Sequence, residues 1–295
     1  TNVSTRLPNG FPVAVGLFPA SGPVAKALGA SDLDAETSEG ISFGFVGNFG
    51  DLDFTVDYYA IDIEDYFSAV STKDVSTTIP RAPDTYLDDD GAVDADAYAD
   101  AVSAYANYNA LDGAGVVGAN TIGGVFFFTN AYDVSVSGVD AVLTYPIESD
   151  YGVTRLTLTY GYSEFDFDSD PSGFLNAEAQ YDAENFDVNT RVIFEAKHSW
   201  EDFQLMVRNS YWGEAENSQN GDELSIQDYD PVSMTDVSLT YFGDSFELTM
   251  GGMNVFDEYP DQDEIGDFCC GRLYPSGSGI DWQGGRYYVQ VSREF

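Results

Sequence analysis

No stretch of about 18 apolar residues occurs anywhere in the 295-residue chain, so none of its helices could cross a bilayer. Its two cysteines, Cys269 and Cys270, are neighbours, and adjacent thiols cannot staple distant segments, which excludes a disulfide framework. A lone histidine, His198, with no Ser and Asp partners patterned around it, leaves a hydrolytic triad without support. Phosphate-binding glycine motifs are absent; the Gly-Gly pairs at 123–124, 251–252 and 284–285 read as turns and close strand packing. With no catalytic constellation and no cofactor motif, the chain does not read as an enzyme. Cations are scarce too: 11 Lys and Arg face 51 Asp and Glu, a formal net charge of −40. Phosphate contacts need guanidinium and ammonium groups, so nucleic acid is excluded as a partner.

What is abundant is aromatic: 20 Tyr, 21 Phe and 3 Trp, with 29 Gly. Acidic disordered chains lack aromatics, and this mixture instead suits β structure with many turns. Alternation with period two dominates. In 51–60, Leu52, Phe54, Val56, Tyr58 and Ala60 share one face, and Asp53, Thr55 and Asp57 the other. In 186–197, Phe186, Val188, Thr190, Val192, Phe194 and Ala196 oppose Asp187, Asn189, Arg191, Glu195 and Lys197. In 202–211, Phe203, Leu205 and Val207 oppose Asp202, Gln204 and Arg208. The same dyad recurs in 153–163, 234–242, 245–250 and 286–295, and with 37–47 and 131–147 the count reaches about nine strands. Many are about 10 residues or longer, against roughly 5–6 in soluble proteins, and a tilted strand needs about 9–11 to cross a bilayer.

The connections alternate strictly in length. Short turns fall at Asn48 to Asp51, Glu148 to Gly152, Ser199 to Asp202 and Phe242 to Ser245. Long connections are expected at 67–128, 168–183, 213–230 and 257–283, and a further loop at 1–35 opens the chain. Short periplasmic turns opposite long extracellular loops are the habit of transmembrane β-barrels, whereas a soluble sandwich has no reason to sort its loops by parity. The expected fold is therefore all-β, an antiparallel transmembrane β-barrel, with Phe295 at the periplasmic rim.

Several segments then resemble TonB-dependent outer-membrane receptors. Phe54 to Asp65 (FTVDYYAIDIED) is similar to that family's VDYYxIDIxD strand, and Ser137 to Tyr145 (SGVDAVLTY) to its xGVDxxxxY strand. Gly251 to Pro260 (GGMNVFDEYP) resembles GxxNLFDxxP and is followed by a loop and the strand opening Gly285-Arg286-Tyr287-Tyr288. The resemblance covers essentially the whole chain and implies the last nine or so strands of a roughly 22-stranded barrel. The family's plug domain and TonB box have no counterpart here, and Arg293 stands where the terminal signal often carries an apolar residue. The resemblance implies residence in the bacterial outer membrane among lipid and lipopolysaccharide. It also implies TonB-dependent uptake of a small-molecule nutrient such as a ferric siderophore, cobalamin, haem or an oligosaccharide. A passive porin and a soluble, calcium-binding β-sandwich adhesin are the alternatives.

Candidate site residues follow. The family binds its cargo in extracellular loops, which makes Tyr86, Trp212, Phe268, Tyr274 and Trp282 candidates for stacking on cargo rings, or else members of a membrane-interface girdle. Arg191, Lys197 and Arg208 are expected to face the lumen, guiding anions or pairing with Asp187 and Glu195. The loop 84–101 fails as an EF-hand, since counting from Gly91 puts Ala97 where the bidentate Glu belongs. A looser calcium site at Asp88, Asp90, Asp94 and Asp96 stands against a solvated acidic loop leading into a helix at 95–108. Cys269 and Cys270 read as a strained vicinal disulfide, as metal ligands with Asp261, Asp263, Glu264 and Asp267, or as a rigid loop tip.

Overall fold

The computed structural model describes residues 3–6, 12–22, 25–26, 30–71, 73–74, 122–219, 224–264, 273–274 and 280–293. In order these form β1 (Val3–Arg6), β2 (Pro12–Leu17), β3 (Thr37–Phe49), β4 (Leu52–Ala69), β5 (Lys73–Asp74), β6 (Ile122–Phe126), β7 (Phe128–Ser149) and β8 (Gly152–Phe167). There follow helix α1 (Ala177–Asn185), β9 (Thr190–Trp200), β10 (Phe203–Trp212), β11 (Ala215–Gln219), β12 (Ser225–Tyr229), β13 (Val232–Phe242), β14 (Phe246–Met253) and β15 (Arg286–Arg293).

The nine expected strands make one sheet in the order β15-β14-β13-β10-β9-β8-β7-β4-β3, with β3 and β15 at its edges. Gly50-Asp51, Asp150-Tyr151, Glu201-Asp202 and residues 243–245 turn the four tight hairpins, and Gly50 supplies the positive φ of 63° that its turn requires. All other connections within this sheet are long, so the parity read from sequence holds. β7 has 22 residues and β4 has 18, well beyond the roughly 9–11 needed to cross hydrocarbon. Because both are anchored at short turns, their excess length lies on the long-connection side.

Two compact units are distinguished by their contacts: Thr1–Ser38, Ile63–Val134 and Phe167–Asn176 form one, and Glu39–Asp62, Ser135–Asp166 and Ala177–Phe295 the other. In the first, β1-β2-β6-β5 form a small sheet in which β2 and β6 run parallel, where the sequence suggested only loops. Side chains there brace the backbone: Asn130 Nδ2 donates to the carbonyls of Asp34 (3.0 Å) and Asp65 (2.7 Å), and Asp133 accepts from Asp65 N–H at 2.9 Å. These bonds hold Asp65 at a φ of 57°, in the left-handed region.

In the second unit, cross-strand register carries the alternation across the sheet. Leu205 lies opposite Leu239, Leu239 opposite Met250, and Met250 opposite Val289. One row nearer the short turns, Phe203, Tyr241, Leu248 and Val291 line up in the same way. A soluble protein would cover this face, yet here Met250 is 54 % exposed, Val289 65 % and Val291 67 %. Next to the short turns a chain of rings crosses four strands: His198 to Trp200 (5.3 Å between centroids), Trp200 to Phe203 (5.7 Å), Phe203 to Tyr241 (5.1 Å) and Tyr241 to Phe246 (5.8 Å). Such a row suits the boundary between hydrocarbon and water, where amphipathic rings settle. Thr154 Oγ1 meets His198 Nδ1 at 2.9 Å.

The motif glycines have a packing reason. Gly251 and Gly252 lie directly opposite Tyr288 and Tyr287, whose rings cover them; a Cβ at Gly251 would sit 2.6 Å from Tyr288 Cζ. A Cβ at Gly138 would collide with the Tyr59 ring and with the backbone carbonyl of Tyr162. Gly138→Ala should therefore destabilise the barrel by about 1–3 kcal/mol, the usual cost of overpacking. Gly173→Ala should have little effect, since a Cβ there meets nothing within 4 Å. Thermal unfolding in detergent, followed by loss of the compact band on unboiled gels, would compare the two.

Candidate functional site

In the second unit the long connections build a layer from α1, the β11–β12 hairpin and the segments that link β14 to β15. Helix formers Ala, Glu and Gln dominate α1 (AEAQYDAEN), and Asn185 Nδ2 donates to the Tyr181 carbonyl in its last turn at 2.8 Å. Side-chain hydrogen bonds hold the helix to β11. Tyr181 donates its hydroxyl to Glu216, and Asp182 Oδ1 accepts from both Ser218 N–H (2.7 Å) and Ser218 Oγ (3.0 Å). Ser218 is 1 % exposed, so Asp182 satisfies a donor that water does not reach. On the far side of the hairpin, Gln227 donates to the Gln262 carbonyl (2.7 Å) and accepts from Glu264 N–H (2.8 Å), while Asp261 accepts from Asp230 N–H (2.7 Å).

The Asn-Val-Phe-Asp-Glu-Tyr segment after β14 is a folded corner. Asn254, with a φ of 48°, donates its N–H to Asp236 at 2.8 Å, and its side-chain amide exchanges two bonds with the Glu258 backbone. Asp257 Oδ1 accepts from Gly285 N–H (2.8 Å) and Tyr259 Oη (3.0 Å), which ties the corner to the start of β15. Those bonds hold the Asp257 carboxyl below the usual carboxylate range. Beside this corner, Tyr259, Tyr274 and Trp282 make a strip of near-parallel rings, with centroids 6.0 and 6.4 Å apart and planes 12° and 19° apart. Tyr259 is 43 % exposed and Trp282 56 %. Arg286 donates to Asp281 and Gln283, and its Nε is buried without a partner among the described residues.

The structure sorts the sequence candidates unevenly. Tyr274 and Trp282 come together in the strip, and Tyr259, which sequence reasoning left out, completes it; a Tyr two residues after Asp257 was the available signal. Trp212 instead packs against the buried Val232, Met234 and Ile280, with the Arg191 guanidinium 5.2 Å from its ring centroid. Arg191, Lys197 and Arg208 share the polar face, where Glu195 holds both Lys197 (2.7 Å) and Arg208 (2.6 Å). Tyr86, Asp88, Asp90, Asp94, Asp96, Phe268, Cys269 and Cys270 lie outside the described residues, as does the helix expected at 95–108. No group of three or more His, Cys, Asp or Glu placed to hold a metal occurs among the described residues.

The first unit has its own concave feature, a cavity of about 620 Å³ lined mainly by Leu17, Phe18, Pro19, Leu33, Phe67 and Phe128. The Phe67 and Phe128 rings stack 5.1 Å apart and 6° from parallel.

Acidity shapes the electrostatics of the second unit's layer. The Tyr181 hydroxyl is pushed up to about 12 by its bond to Glu216, by desolvation and by nearby carboxylates. Burial, then Asp263, Asp182 and Asp261, push Tyr229 up to about 12 as well. An unfolded tyrosine ionises near 10, so the stability that the neutral phenols lend is complete below pH 10 and is lost as pH rises toward 12. In a titration of tyrosinate absorbance, Tyr181→Phe and Tyr229→Phe should each remove one late-ionising group. Ionisation of both near pH 10 would contradict this electrostatic account.

The TonB dependent receptor-like, beta-barrel family model matches residues 2–255. No curated protein matches the chain. Among solved structures, the outer membrane transporter YddB from Escherichia coli is similar at 10 % identity and a TM-score of 0.57, over 90 % of this chain and 33 % of that one. The copper transporter OprC is similar at 13 % identity and a TM-score of 0.55, over 90 % and 32 %. The FrpB iron transporter from Neisseria meningitidis (F5-1 variant) is similar at 13 % identity and a TM-score of 0.53, over 89 % and 32 %. At such identities the likeness speaks for the fold, and the chain spans about a third of each of these proteins. With the family match running through the sheet described above, the soluble adhesin reading falls away: the chain belongs to the TonB-dependent receptor-like β-barrel family, whose members are transporters of the outer membrane and not enzymes.

Proposed function

We propose that these residues form the C-terminal portion of the barrel of a receptor that imports a scarce small-molecule nutrient across the outer membrane, driven through the TonB complex. One observation carries the reading: an antiparallel sheet with an exposed apolar face, an aromatic row at its short-turn end and every long connection at the other. In this reading the short turns lie in the periplasm and the long connections outside the cell. The polar face with Arg191, Lys197, Glu195 and Arg208 lines the lumen, and lipid with lipopolysaccharide covers the apolar face. Cargo is captured in the outer layer, where the exposed rings of Tyr259 and Trp282, joined through half-buried Tyr274, offer stacking surface. A plug and a TonB-contacting segment come from the rest of the receptor. Uptake involves no covalent step: binding outside is followed by plug movement powered from the inner membrane.

The iron and copper named for two of the similar transporters are consistent with nutrient import and do not fix this receptor's cargo. Cells expressing the full-length receptor should accumulate one of four labelled probes, a ferric hydroxamate siderophore, cyanocobalamin, haemin or maltohexaose. Accumulation should vanish on deletion of the receptor and fall at least tenfold with a protonophore. Steady ion conductance by the purified protein in planar bilayers, with probe entry indifferent to the protonophore, would replace this reading with a passive porin.

A further inference from the structure

We propose that the strip of Tyr259, Tyr274 and Trp282 is a subsite for a planar organic cation, so that the receptor favours cargo presenting such a group; this rests on the uptake reading above. The strip has what a cation needs. Its rings lie nearly parallel at 6.0 and 6.4 Å, and Trp282 and Tyr259 present much of their surface to solvent. An aromatic face attracts a cation through its quadrupole, and the attraction strengthens as water is excluded. Phe256 (69 % exposed) and Leu273 (61 %), close in sequence to Tyr259 and Tyr274, are further exposed apolar side chains of this layer.

Charge decides between a cation and an anion. Within the second unit, the described residues of 177–189, 213–231, 254–264, 273–274 and 280–285 carry Glu178, Asp182, Glu184, Asp187, Glu214, Glu216, Asp228, Asp230, Asp257, Glu258, Asp261, Asp263, Glu264 and Asp281, and no Lys, Arg or His. Arg286, which opens β15 just after these residues, is already paired with Asp281. Along the whole β14–β15 connection the sequence adds Asp267 against Arg272, which leaves the balance strongly negative. Asp257 sits within the strip, bonded to the Tyr259 hydroxyl at 3.0 Å. A ring-bearing anion would meet repulsion from this layer, and a ring-bearing cation would meet attraction on top of stacking. The same sheet already seats a guanidinium on an indole, Arg191 over Trp212.

Fluorescence titration of the full-length receptor in detergent tests the proposal with three probes: N-methylacridinium, acridine-9-carboxylate and neutral maltohexaose. The cation should bind at least tenfold more tightly than the carboxylate, and its affinity should fall as salt rises from about 50 to 500 mM, as expected when exposed charges are screened. Trp282→Ala should weaken cation binding by about three- to tenfold, the usual range for losing one ring of such a site. Tyr274→Leu serves as the second variant, and resistance of the unboiled barrel to denaturation on gels reports folding for both. Equal binding of the carboxylate, binding of maltohexaose alone, or cation affinity unmoved by salt and by both folded variants would overturn the proposal. Because the titration needs neither cells nor TonB, its failure is separable from failure of energy-driven uptake.

Discussion

A backbone amide in hydrocarbon has no water to bond, and each unpaired group costs several kcal/mol. The nine-stranded sheet answers to that constraint. Strands pair continuously through nine neighbours, the tight hairpins keep consecutive strands adjacent, and irregular backbone is confined to the sheet's two ends. The same constraint assigns a task to the edges. β3 and β15 each present an unpaired side, and in the proposed receptor those edges are where further strands would pair.

With the backbone satisfied within the sheet, side chains are free to differ between faces. One face keeps Leu205, Leu239, Met250 and Val289 in a row exposed to the surroundings, whereas the other gathers Glu195 with Lys197 and Arg208. Glycines appear where a neighbouring tyrosine ring needs the space that a Cβ would take, as Tyr288 does over Gly251. This gives residues 251–253 and 286–288 a single physical origin: they are cross-strand partners, each shaped by the other.

How much was legible in the sequence follows from which interactions are local. Alternation is a property of one strand, so all nine strands and the faces of Leu156, Phe194, Val237 and Met250 could be read directly. The tight turns were equally plain, because Gly50 and Gly243 mark them. The start of β9 was not. Phe186 and Val188 continue the alternation on paper, but Phe186 N–H bonds back to the Asp182 carbonyl of α1 and Val188 packs on Val232, Met234 and Ile280. Distant partners likewise set the surroundings of the candidate rings. Register puts Trp212 opposite Arg191, and Tyr259 stacks with Tyr274, which in turn stacks with Trp282, across gaps in the sequence. The small sheet containing β2 and β6 depends on pairing between segments more than a hundred residues apart, which no local pattern encodes.

In the proposed receptor the exposed apolar face meets lipid while the opposite face meets water. Spin labels placed singly along β13 and β14, in full-length receptor lacking Cys269 and Cys270 and reconstituted in bilayers, test it directly. Labels at Leu239, Leu248 and Met250 should relax with oxygen, which concentrates in hydrocarbon, and labels at Ser238, Thr240 and Thr249 with a water-soluble nickel chelate. Access to the chelate at every position, with no period of two, would contradict a membrane-spanning sheet.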